Sequence, residues 1–143
     1  DMDLARQRAP KVRGIHYENL RSALAEEGLI RTLLREPELL PAVTLPAEAM
    51  SVELFGRVLT ELRRRVQNGR PVSLAALEGE LSPEEMAHLS YVMSSDTSTV
   101  SDEALHDYIR VIQEEYEART SVRSEDSLLQ LAEQMRTTKQ YGG

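Results

Sequence analysis

Three histidines and several adjacent carboxylates are the residues of this chain best equipped for chemistry. His16, His88 and His106 are scattered, and none stands at the H-E-x-x-H spacing that sets two imidazoles and a general base on one helix face for zinc. With no cysteine among the 143 residues, no thiolate can join them and no disulfide can form. The doublets Glu84-Glu85, Glu114-Glu115 and Glu125-Asp126 have the composition of acid–base pairs. Charges at helix starts and on solvated faces account for them better. Phosphate cradles of the G-x-x-x-x-G-K or G-x-G-x-x-G kind are absent, as is the G-x-S-x-G nucleophile turn. The expectation is no catalytic residue, no metal site, no cofactor and no small-molecule substrate. The chain is not itself an enzyme on this reading.

Charge gives the next constraint. A formal net charge of −7 argues against nucleic-acid binding by the chain as a whole, because phosphate contacts need a positive surface. The charge is uneven: Arg6, Arg8, Lys11 and Arg13 make the first fourteen residues basic, and Arg57, Arg63, Arg64, Arg65 and Arg70 cluster around one helix. Arg64 and Arg65 follow Glu61 by three and four residues, so exterior ion pairs explain much of that cluster. The competing use is contact with an acidic partner or with nucleic acid.

The elements that would position these residues are helices. Leucine dominates the apolar residues, Trp is absent and Phe occurs once, which describes an aliphatic core best housed in helices. Residues 17–35 carry Leu20, Ala23, Leu24, Ile30 and Leu34 on one broad face that Leu29 and Leu33 widen. This helix is expected to be central and to end at Pro37. Ser51 reads as the N-cap of a long amphipathic helix with Val52, Phe55, Val58, Leu62 and Val66 inward, closed by Asn68-Gly69. Ser73 caps a short helix through Leu77 and Leu81. Ser82-Pro-Glu-Glu85 is a capping box opening a helix with Met86, Leu89 and Met93 inward and His88 solvated on the far side. No strand is expected, and no apolar run is long enough to span a membrane.

From Ser101 the spacing predicts two helical arms. Leu105, Tyr108, Ile109, Ile112 and Tyr116 form one stripe, and Leu128, Leu131, Ala132 and Met135 another. The polar run 119–124 between them has no helical periodicity, so the arms are expected to fold back as a hairpin. Val111 and Leu129 fall off their stripes and are candidates for a partner surface. The expected class is all-α, a helical bundle followed by a C-terminal helical hairpin. The expected units are 1–16 as a linker from an upstream catalytic domain, 17–100 as the bundle, and 101–143 as the exit helix and hairpin. A reducing, cytoplasmic setting fits the missing cysteines.

The run Ala25-Glu-Glu-Gly-Leu-Ile-Arg-Thr-Leu-Leu-Arg-Glu-Pro-Glu-Leu40 resembles the opening helix of the C-terminal helicase-binding domain of bacterial DNA primases. Leu105-His-Asp-Tyr-Ile-Arg-Val-Ile112 is similar to the helix leaving that domain's bundle. The resemblance implies a terminal hairpin that docks on the N-terminal domain of the hexameric replicative helicase, bringing primase to the replication fork. It also implies a parent protein that synthesises RNA primers through upstream domains. On this reading Val111, Tyr116, Leu128, Leu129, Met135, Lys139 and Tyr141 are the expected helicase-binding residues, and direct nucleic-acid binding by this part is not expected. Gly69-Arg-Pro-Val-Ser-Leu-Ala-Ala-Leu77 with Leu81 also resembles the N-terminal domain of the replicative helicase itself, which is the alternative. A helical adaptor binding nucleic acid through the arginine helix is a third possibility.

Overall fold

Asn19 starts the first helix. Its backbone is extended and its side chain accepts from the Ser22 N–H, satisfying a donor that every helix start leaves open. The computed structural model describes residues 15–96 and 101–142, with side chains for all of these except 122–127 and 135–142. The helix that Asn19 opens is α1, Leu20–Arg35, followed by 3-10 helices at Pro37–Ala42 and Ala47–Ala49. Then come α2 at Glu53–Gln67, a 3-10 helix at Ala75–Glu80, α3 at Pro83–Ser94 and α4 at Asp102–Gly142. The described residues contain helices and no strand, so the all-α class holds.

The bundle is organised around α1, which is buried without interruption from Ala25 to Leu34. α4, α2, α3 and the first 3-10 helix all pack on it. Ile30, Leu33, Phe55, Leu59, Leu62, Leu89 and Ile112 make the centre of the core. The central position of α1 was legible, and of its expected face Ala23, Leu29, Ile30, Leu33 and Leu34 are buried. At its start, however, Leu20 and Leu24 are more than half exposed, and Ser22 and Glu26 take inward places.

Several local signals operate as written. Ser82 and Glu85 make a complete capping box, and Gly69 closes α2 with a φ of 65° that only glycine adopts without strain. Ser73 and Ser101 each accept a backbone N–H from three residues ahead.

Four expectations are corrected. Ser51 does not cap α2: its own N–H and hydroxyl donate to Glu26, whose other oxygen accepts from Val52 N–H at 3.0 Å. A carboxylate from α1 thus supplies the anion that the N-terminus of α2 attracts, in place of a local cap. Val66 is 42% exposed, not inward. α3 buries His88, Leu89 and Val92, with Met86 and Met93 only partly covered, so the helix is turned from its expected facing and His88 is core rather than surface. Finally, α4 is one helix across residues 119–124, where a break was expected. That run is polar but holds neither Gly nor Pro, so nothing in it obliges a helix to stop. The Thr120 hydroxyl bonds back to the Tyr116 carbonyl at 2.9 Å, a mode that keeps threonine inside a helix.

Candidate partner-binding surface

The first half of α4 is locked to the bundle. Leu105 and Ile112 are buried in the core, and the Tyr108 ring covers Gly28 of α1, where a side chain would not fit. Asn19 Nδ2 donates to Glu115 Oε1 at 2.7 Å. Arg21 spans both carboxylates, to Glu115 Oε2 at 2.7 Å and Glu114 Oε1 at 2.8 Å. Those donors hold both carboxyls below the usual range, Asn19 most strongly for Glu115 and Arg21 for Glu114. The Glu114-Glu115 doublet is therefore a clamp between α4 and the start of α1. Five residues on, Arg119 Nη2 donates to the Ala49 carbonyl at 3.0 Å while its guanidinium lies 5.5 Å from the centre of the Tyr116 ring.

Beyond this clamp the character of α4 changes. Residues 128–134 are all exposed, and Leu128, Leu129 and Leu131 are 65, 65 and 52% exposed. Residues 121–142 extend α4 by about 33 Å at 1.5 Å per residue. Leu128 and Leu131 share one side of this segment and Leu129 points to another, so three large apolar side chains are exposed within four residues of helix.

The expected contact residues separate accordingly. Leu128 and Leu129 are exposed on the distal part of α4. Val111 and Tyr116 are partly buried and pack against the hydrophobic core on the first half of α4. Leu131, expected to pack internally, is exposed beside them. Met135, Lys139 and Tyr141 lie on the helix, with side chains outside the described residues.

A second constellation was missed in the sequence. The Tyr17 hydroxyl donates to Glu27 Oε2 at 2.6 Å and lies 2.7 Å from His88 Nε2. Phe55 and Tyr91 flank the imidazole at 6.0 Å. Burial pushes the Glu27 carboxyl up and the His88 imidazole down, each toward its neutral form. A tyrosine, a carboxylate and an imidazole in line could relay a proton, but Glu27 and His88 are buried beyond the reach of a substrate. They are a polar tie within the core. Among the described residues no group of three or more His, Asp or Glu could hold a metal ion.

The arginine helix is occupied with its own neighbours. Arg57 pairs with Glu85, and Arg63 Nη2 donates to the Val43 and Leu45 carbonyls at 2.9 and 2.6 Å. Arg64 and Arg65 both engage Glu61, the latter at 3.0 Å. No protein-family model, curated protein or solved structure matches this chain.

Proposed function

We propose that this chain is a protein–protein interaction domain that presents the distal part of α4 to a partner. The observation that carries the reading is the exposed trio Leu128, Leu129 and Leu131 on a helix whose first half is fixed by the Arg21 and Arg119 contacts. Exposed leucines on more than one side of a helix that leaves a fixed bundle suit a partner that wraps that helix, with a few leucines acting as anchors. The partner we assign, from the resemblance of residues 25–40 and 105–112, is the N-terminal domain of the hexameric replicative helicase. The parent protein is then a DNA primase recruited through this contact. The adaptor alternative, with the arginine helix against nucleic acid, is weakened by the carboxylates and carbonyls that already hold Arg57, Arg63, Arg64 and Arg65. The test is co-elution of the purified chain with the helicase hexamer, expected for the intact chain. Loss of co-elution is expected when the chain ends at Thr120. Absence of co-elution by the intact chain would remove the helicase as the partner.

A further inference from the structure

A cleft of about 680 Å³ runs along the outer side of α2. Leu81 is partly exposed in it over a floor of the buried Met50, Val58 and Leu77, while Glu48, Glu53, Glu61 and Glu80 also line it. Arg57 is the cation among the lining residues, and it is tied to Glu85. Glu48 and Glu53 are exposed. Among the described residues Arg57 lies 3.9 Å from Glu53 and Arg64 3.9 Å from Glu80, the outer limit of an ion pair. The cleft thus offers apolar contact together with carboxylates that retain acceptor capacity.

The complementary chemistry lies in the same chain. The first fourteen residues hold four of the 17 basic and two of the 24 acidic residues, which leaves the rest at −9. In an extended chain alternate residues share a side, so Met2, Leu4, Arg6 and Arg8 would present two apolar groups and then two guanidiniums in one row. The reach is sufficient. Ile15 packs on the core, and the Tyr17 ring lies 6.2 Å from Phe55 on α2. Crossing a helix width of about 10–12 Å takes three or four extended residues at about 3.3 Å each. Tethering supplies an effective concentration in the millimolar range, so even a weak contact would be substantially filled.

We propose that residues 1–14 dock in this cleft in cis, with Met2 and Leu4 on the apolar lining and Arg6 and Arg8 against Glu48 and Glu53. The cleft is then a site for a basic, apolar segment, separate from the leucine surface of α4. The test uses the full chain, whose lack of cysteine lets a nitroxide be placed at Asp3→Cys alone. Selective broadening of the Gly56, Leu77 and Leu81 amide signals is expected. It should be lost in Glu48→Lys/Glu53→Lys and, independently of any effect on the fold of α2, in Arg6→Glu/Arg8→Glu. Combining both charge reversals should restore it. Broadening spread evenly over the surface, centred elsewhere, or indifferent to both sets of reversals would overturn the proposal. So would broadening seen only between labelled and unlabelled molecules, which would make the occupant a second copy. Helicase co-elution is read separately, so failure here leaves the α4 surface untouched.

Discussion

The Tyr17 hydroxyl lies 2.7 Å from His88 Nε2 although 71 positions separate the two residues. The same hydroxyl donates its proton to Glu27 Oε2, so toward His88 it can only accept. His88 must therefore carry its proton on Nε2, which leaves Nδ1 a bare lone pair, buried and without a hydrogen-bond partner among the described residues. Adding a second proton there would bury an N–H with no acceptor, beside Phe55.

Acid should accordingly weaken the fold through His88. Burial depresses its folded pKa below the ordinary value of 6.5. As pH falls past that value the unfolded chain takes up a proton that the folded chain refuses, and stability drops. Glu27, raised by burial, acts in the opposite sense as pH falls, since the folded state then binds the extra proton. Comparing the chain with His88→Gln cancels the Glu27 contribution and isolates the histidine. Urea unfolding from about pH 7.5 to about pH 5 should show the stability difference between the two shifting in favour of the variant as pH falls. Parallel curves would mean that His88 does not titrate against the fold.

Glu26 is fully buried and accepts from Ser22 Oγ, Ser51 N–H, Ser51 Oγ and Val52 N–H. Its oxygens are met by hydroxyl and N–H donors from Ser22 and from the start of α2. Glu26→Gln keeps the shape but turns one acceptor into a donor facing donors. The expected loss is on the order of 3 kcal/mol, as for a charge-assisted bond replaced by an unsatisfied group. Denaturant titration reads this directly. A change within about 0.5 kcal/mol, the scale of an ordinary surface substitution, would show that the carboxylate does not hold α1 to α2.

Gly28 sits inside α1, where alanine would ordinarily add about 1 kcal/mol of helix stability. A Cβ at this position would come within 2.7 Å of three carbons of the Tyr108 ring of α4. Gly28→Ala should therefore destabilise the bundle, and in a Tyr108→Ala background the same substitution should stabilise it. Thermal unfolding of the four proteins in that cycle decides the sign. A stabilising Gly28→Ala in the native background would place Tyr108 elsewhere.

How far the sequence could be read follows from the range of each interaction. The Ser82–Glu85 capping box, the Gly69 stop and the stripe from Leu105 to Tyr116 depend on residues within a turn or two, and each was legible. Ser51 was misjudged because its partner, Glu26, is 25 positions away and on another helix. His88 was misjudged for the same reason: Tyr17, which holds it inward, precedes it by 71 positions. A lone histidine on a helix carries no local sign of the tyrosine that will meet it. The continuity of α4 through 119–124 shows the converse: low periodicity alone does not break a helix where no Gly or Pro enforces a stop. For the candidate surface, Leu128 and Leu129 were legible as apolar residues. That Val111 and Tyr116 pack partly against the core depends on how α4 faces α1.

The α4 surface makes the last prediction. Leu129 is 65% exposed, so Leu129→Asp meets solvent in the free chain and should alter stability by about 0.5 kcal/mol, mostly through helix propensity. At the centre of an apolar contact the same carboxylate would be desolvated without a partner, and helicase binding should weaken by about 2–4 kcal/mol. Leu24→Asp supplies the control, because Leu24 is comparably exposed but on α1 of the bundle, and binding should be unchanged. Val111→Asp should act in the reverse way, lowering stability because Val111 packs against the core. Titration calorimetry with the helicase and denaturant unfolding of each variant separate the two effects. A Leu129→Asp chain that binds normally, while a chain ended at Thr120 also binds, would move the contact onto the bundle and make the arginine helix the surface to test next.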